Sequence, residues 1–249
     1  MTHLLILGGT TEAGELAQTI AGTGIRATYS YAGRVGTPRP QPVPTRSGGF
    51  GGVAGLVRYL RDAQVTHVVD ATHPFAARMS RNAHAACAET GVPLVALTRP
   101  PWTEGSGDRW THVPDIDAAV AALSGPVRRV FLAVGRVHLD AFAAQPQHHY
   151  LLRLVDDPDA PPLPDCTVIV DRGPFDLAQD TALLRAHRID LVVSKNSGGS
   201  GARSKIDAAR ALDLPVLIID RPELPERTEL HEPERILDWL AHSGVNLGV

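Results

Sequence analysis

Lysine is almost missing from this chain. Of its 24 basic residues only Lys195 and Lys205 are lysines, and the remaining 22 are arginines. Gene base composition alone can produce such a bias. Yet both survivors fall in one Ser/Gly-rich stretch, Ser194 to Lys205 (SKNSGGSGARSK), which suggests a local requirement; chance clustering is the alternative. Cysteine is scarce as well. Cys87 and Cys166 are two and far apart, which excludes a disulfide framework or a cysteine-based zinc site and reads as reduced core thiols in a cytoplasmic protein. The 11 histidines are scattered, and the one adjacent pair, His148-His149, has no metal-ligand company, so no metal site is expected. No run approaches the ~18–20 apolar residues of a membrane helix, and the N-terminus has no signal-peptide pattern, so no membrane partner is expected. A formal charge of -3 gives no argument for nucleic-acid binding.

What is present begins at once. At 249 residues the chain is long enough for a substantial core, as one large domain or two small ones. Leu4 to Leu7 is short, apolar and closed by Gly8-Gly9, the pattern of a buried parallel strand. A helix signal follows in Thr10-Thr11-Glu12-Ala13-Gly14, with threonine to cap it and an early acid to suit its positive end. A glycine turn aimed at a helix N-terminus is a ready phosphate site, because free N–H groups converge there and no Cβ blocks approach. This is the usual opening of a dinucleotide-binding fold. The fingerprint is imperfect, since ending it on Gly14 puts Thr11 where a middle glycine belongs, and an ordinary strand-to-helix turn would read the same way.

An absence then separates two cofactors. In NAD-binding folds an Asp or Glu about 20 residues past the glycines takes the ribose hydroxyls, whereas an Arg there accommodates a 2′-phosphate. No acid occurs between Glu15 and Asp62, while Ser30 and Arg34 follow the second apolar segment, Ala27 to Tyr31. That favours NADP(H). A solvated loop arginine, or one reserved for an anionic substrate, is the competing reading.

The rest of the chain alternates strand and helix. A Pro-rich connection (Thr37 to Pro44) and a glycine patch (Gly48 to Gly52) precede a helix at Val53 to Ala63, a strand at Val65 to Ala71, a helix at Ala76 to Gly91 and a strand at Pro93 to Leu97. Such βαβ alternation implies parallel sheets. Arg99-Pro100-Pro101-Trp102 and Gly105 to Gly107 break it, which places a first domain at residues 1–101 and a second at 102–249. In the second, strands are expected at 130–134, 150–154, 168–170, 191–194 and 216–219. Helices are expected at 116–123, 138–144, 175–187, 202–212 and 232–242. The fold class is α/β: two Rossmann-like parallel-sheet domains with an active-site cleft between them, where ligands tend to lie.

Ligands of open α/β sheets bind at the carboxyl ends of the strands. There the sequence places Asp70-Ala71-Thr72-His73-Pro74-Phe75-Ala76, Gly135-Arg136, Asp171-Arg172-Gly173-Pro174-Phe175 and the lysine loop. Several cations on loops at one sheet edge suit a substrate with several carboxylates, although any single arginine among them reads equally well as surface solvation.

GGTTEAG, YAGR, DATHPFA, RPPW, RGPF and VVSKNSGG followed by KIDAA together resemble the precorrin-6A reductase family of corrin-ring (vitamin B12) biosynthesis, from Leu4 to about Pro222. The resemblance implies hydride transfer from NADPH to a C=C–N unit of a large oxidised tetrapyrrole, giving precorrin-6B, with handover to neighbouring pathway enzymes as a further expectation. On it, Gly8, Gly9, Thr10, Thr11 and Gly14 hold the pyrophosphate, and Ser30 and Arg34 the 2′-phosphate. Thr72, His73, Phe75 and Ala76 line the nicotinamide side, with Phe75 and Ala76 also against the substrate. Arg136, Arg172, Lys195, Ser197, Gly198 and Gly199 receive substrate carboxylates. His73 and Lys195 are the candidate proton donors, while Asp70 reads as a structural carboxylate. The dyad of a short-chain dehydrogenase is absent, because the positions four before Lys195 and Lys205 are Leu191 and Gly201. The alternatives are an S-adenosylmethionine-dependent tetrapyrrole methyltransferase, which would prefer an acid after the second strand, and a non-catalytic NADP(H) sensor, which would leave the cationic loops without work.

Overall fold

A computed structural model of the chain describes residues 2–33 and 39–243. In chain order, β1 (His3–Leu7), α1 (Thr11–Ala21), β2 (Arg26–Tyr31), β3 (Thr45–Ser47), α2 (Gly52–Asp62), β4 (His67–Asp70), α3 (Ala77–Thr90) and β5 (Leu94–Leu97) come first. Next are β6 (Trp110–Val113), α4 (Ile116–Ala122), β7 (Arg129–Ala133), β8 (His149–Leu154), β9 (Cys166–Val170), α5 (Leu177–Ala186), β10 (Leu191–Lys195), α6 (Ser204–Ala211) and β11 (Val216–Ile219). A short strand β12 (Glu229–Leu230) and a helix α7 (Glu234–Ser243) follow. The chain divides into two compact units, Met1–Pro100 with Glu223–Val249, and Pro101–Pro222. The residues from 223 on thus belong with the first unit, where the sequence reading had kept them in the second.

Each unit is built on a six-stranded, wholly parallel sheet. The first has the order β12-β5-β4-β1-β2-β3 and the second β6-β11-β10-β7-β8-β9. In the first, the chain moves outward from β1 through β2 to β3, then returns to β4 on the other side of β1. That reversal is the switch point of a doubly wound sheet, where ligands of such folds bind. The second unit reverses in the same way between β7 and β10.

Alternation along β1 shows why its five residues are all buried. Leu4 and Ile6 pack with Leu16 and Ile20 of α1 and with Ile236 and Leu240 of α7. Leu5 and Leu7 point the other way, onto Leu56 and Leu60 of α2 and Ala83 and Cys87 of α3. A strand covered by helices on both faces is apolar along its covered length, here Leu4 to Leu7, and each such Leu or Ile contributes about 1.5–3 kcal/mol. The buried His3 at its start is held by hydrogen bonds to Ala63 and Thr28. In the second unit Phe131, Leu151, Val192 and Ile218 from four strands pack with Leu184 of α5, Ile206 of α6 and Trp102.

Three strands escaped the sequence reading: β3, β6 and β12. In addition, the helix expected at 138–144 is two consecutive 3-10 turns, Arg136–His138 and Asp140–Ala144, entered through Gly135 at φ 77. Among the described residues no helix is long and apolar enough to cross a membrane.

Candidate active site

The turn after β1 is built from its own hydrogen bonds. Gly8 continues the strand, its N–H donating to the Ser30 carbonyl at 3.0 Å. It must be glycine because a Cβ there would lie 2.2 Å from Cζ of Tyr29. Gly9 adopts φ +119, which disfavours any side chain, and donates its N–H to the Tyr29 hydroxyl at 2.8 Å. Burial pushes the Tyr29 phenol up to about 12, so it stays a neutral acceptor for that amide. Thr10 caps α1, its Oγ1 accepting from the Ala13 N–H at 3.1 Å, and donates the same hydroxyl to the Ala71 carbonyl at 2.9 Å. That bond ties the turn after β1 to the turn after β4 across the switch point.

Of the five residues expected to hold a pyrophosphate, Gly8, Gly9 and Thr10 therefore shape the turn. Thr11 and the following residue lead α1, where no carbonyl a turn earlier meets their amides. A Cβ on Gly9 would meet nothing within 4 Å, and one on Gly14 only the Gln41 side-chain oxygen at 3.9 Å. Open space over a Cβ-free turn at a helix N-terminus fits a dinucleotide's pyrophosphate.

The turn after β4 carries the second group. Asp70 is buried and paired with Arg227 at 2.7 Å. Its other oxygen accepts from the Thr72 hydroxyl at 2.6 Å and the Thr72 N–H at 3.2 Å. Asp70 is thus structural, and Thr72 is held by it. His73 is exposed, and its Nδ1 accepts the Phe75 N–H at 3.2 Å, which leaves the proton of the neutral ring on Nε2. The rings of His73 and Phe75 lie 5.9 Å apart. Ala76 closes the turn, its N–H on the His73 carbonyl at 2.7 Å, and α3 begins one residue later.

Ser30, at the end of β2, is buried, and its hydroxyl accepts from Nη1 of Arg46 at 2.7 Å. Arg34 lies outside the described residues.

In the second unit the lysine loop follows β10 and is fixed from several sides. Asn196 and Trp102 bond reciprocally, the Trp102 N–H to Oδ1 at 2.7 Å and Nδ2 to the Trp102 carbonyl at 3.0 Å. The Trp102 indole donates to the Gly199 carbonyl at 2.7 Å. Arg221 donates to the carbonyls of Asn196 and Ser197, both at 3.1 Å. Gly198 and Gly199 have φ near +70, the left-handed region that favours glycine. The two lysines part company here. Lys205 is buried, with Nζ 5.0 Å from the Trp102 ring and donating to the Ala202 carbonyl, so it belongs to the scaffold. Lys195 ends β10 half-buried at the carboxyl edge. Arg136 is exposed after β7. Arg172 is exposed after β9 and pairs loosely with Asp156 at 3.3 Å. Sequence reasoning missed Tyr29, Arg46, Asn196 and Arg227, each of which acts through a partner distant in sequence. The described residues contain no group of three His, Cys, Asp or Glu placed to hold a metal ion.

A glycine turn and capped helix at the switch point of a parallel sheet ordered like this one define a Rossmann-like protein of the dinucleotide-binding kind. Comparison with known proteins narrows this. The family model described as precorrin-6x reductase CbiJ/CobK matches residues 3–241. A precorrin-6A reductase of Rhodobacter capsulatus is 60% identical over 245 residues, covering 98% of either chain. One from Sinorhizobium sp is 48% identical over 244 residues, covering 96% of this chain and 93% of that one. The solved structure of CobK precorrin-6A reductase superposes with a TM-score of 0.93 at 60% identity, covering 98% of each chain. The chain belongs to the precorrin-6x reductase family. A reductase family with this fold points to a nicotinamide cofactor.

Proposed function

We propose that this chain uses NADPH to reduce a C=C bond of the precorrin-6A macrocycle, giving precorrin-6B. The observation that carries the reading is the Cβ-free turn and open helix N-terminus at the first switch point, in a chain 60% identical to a precorrin-6A reductase along its length. The cofactor supplies a hydride when bound, and the protein supplies position, a proton and shelter from water. Thr11 and the start of α1 bind the pyrophosphate, on a turn fixed by Tyr29 and Thr10. Thr72, held by Asp70, and the His73–Ala76 turn border the nicotinamide, with Phe75 and Ala76 also offered to the substrate. His73, as its imidazolium, and Lys195, as its ammonium, are the two candidate proton donors. Arg136, Arg172, Lys195 and the Ser197–Gly199 loop receive substrate carboxylates, for which guanidinium and ammonium groups are suited. Membership of a reductase family displaces both the methyltransferase and the sensor alternatives.

The test is calorimetric titration of the purified protein with NADPH and with NADH, followed by turnover of precorrin-6A. NADPH binding well above NADH, with conversion to precorrin-6B, is expected. Folded protein that binds neither nucleotide, alone or with the tetrapyrrole, would sink the reading.

A further inference from the structure

The glycine patch after β3 encloses an arginine with no counter-ion. Arg46, in the middle of β3, lies directly opposite Ser30 of β2, which in turn lies opposite Leu7 at the end of β1. Its guanidinium is fixed by three oxygens: Nη1 donates to the Ser30 hydroxyl at 2.7 Å and the Gly48 carbonyl at 3.0 Å, and Nη2 to the Gly49 carbonyl at 3.3 Å. It stacks 3.9 Å from the Phe50 ring centroid, with Tyr59 at 5.3 Å. All these neighbours are neutral. Among the described residues no carboxylate pairs with Arg46, and residues 34–38 contain no acid. Burial lowers its pKa, an effect that Tyr59 offsets only in part.

A half-buried guanidinium held by neutral oxygens, stacked on an aromatic ring and left without an anion is a preformed receptor for a ligand's anionic group. The position supplies the ligand's identity. In dinucleotide folds the adenosine ribose extends from the glycine turn toward the end of the second strand. Arg46 stands there, one strand further out, and three of its five N–H donors are used on the three oxygens. Resting on the NADPH reading above, we infer that Arg46 is the residue that recognises the 2′-phosphate of the cofactor and sets the preference for NADPH over NADH. Ser30, given that role from sequence, acts through Arg46 as a positioning residue. The glycines at 48 and 49 let the loop turn its carbonyls back onto the guanidinium, Gly48 with φ +108.

Wild type, Arg46→Met, Arg46→Lys and Arg34→Ala should be titrated by calorimetry with NADPH, NADH and adenosine 2′-monophosphate. Losing two charge-assisted hydrogen bonds predicts that Arg46→Met weakens NADPH and adenosine 2′-monophosphate by about 10- to 100-fold while NADH changes by less than about twofold. Retained NADH binding shows that the site is folded. If Arg46→Met does not fold, Arg46→Lys decides: a point charge in place of the fork should cost NADPH about tenfold and leave NADH unchanged. A wild type that prefers NADPH, with the preference intact in both Arg46 variants, overturns the inference, and its loss in Arg34→Ala would then reassign the role. A wild type that binds both nucleotides equally overturns it too. Failure to bind either nucleotide strikes the NADPH reading instead.

Discussion

Two residues illustrate how little room this scaffold leaves. Gly8 looks like part of a phosphate cradle, yet its missing side chain serves Tyr29, whose ring occupies the space a Cβ would need. Gly8→Ala should therefore cost about 1–3 kcal/mol through overpacking, read as a lower denaturant midpoint at unchanged slope. A neutral result would mean that the Tyr29 ring sits elsewhere. His67, on β4, is buried with Nδ1 on the Thr66 hydroxyl at 2.9 Å and its ring edge-on to Trp239 of α7 at 5.3 Å. Its Nε2 has no partner among the described residues, and burial lowers its pKa. The neutral ring is the folded form, so this contribution is full above the unfolded value of about 6.5 and is lost as pH falls below it. Below that point each pH unit removes at most about 1.4 kcal/mol, until the folded pKa is passed. Melting temperature should fall between pH 7 and 5, and His67→Phe should flatten that part of the profile. An unchanged profile would acquit His67.

Among the elements, the loop after β10 is the one whose shape depends most on distant residues. Asn196→Leu removes both hydrogen bonds to Trp102 while keeping the volume. If the loop receives substrate carboxylates, kcat/KM for precorrin-6A should drop by about 10- to 100-fold. NADPH affinity should stay put, since the turn proposed for the pyrophosphate belongs to the first unit. Equal losses in both would assign Asn196 to global folding instead. This loop also marks the limit of what sequence conveys. β1, its glycine turn and α1 were legible because a buried strand, a cap and an amphipathic helix are local patterns. The strands β3, β6 and β12 are only 3, 4 and 2 residues long, and their neighbours in the sheet define them. The two lysines look like one site because they are close in sequence, but Trp102, more than a hundred residues earlier, claims Lys205. Arg46 was hidden likewise, since its cross-strand partner Ser30 and the ring of Phe50 become neighbours only in the fold. The stretch at 138–144 reads as a helix by its apolar spacing, and the tight entry at Gly135 delivers 3-10 turns.

For the molecule as a whole, the telling contact is Arg227 with Asp70. The pair is nearly inaccessible, with side-chain exposures of 10% and 2%, and it joins the end of β4 to the segment that leads into β12. Arg227→Met strands a buried carboxylate, which should destabilise the first unit by about 3–5 kcal/mol. Asp70→Asn combined with Arg227→Met should recover part of the loss, and two-transition melting would show which unit is affected. A single mutant as stable as wild type would show that Asp70 is hydrated in solution.

The return of the chain through β12 and α7 also sets an order in time. Synthesis reaches these elements only after the entire second unit, so during translation β5 waits without its neighbour β12. Leu4, Ile6, Leu16 and Ile20 wait with it, their face lacking the cover of Ile236 and Leu240. The unit encoded first is therefore the one completed last. A nascent chain paused before residue 223 would carry a finished domain tethered to an unfinished one, with Asp70 still without its arginine and an open strand edge exposed to chaperones and proteases.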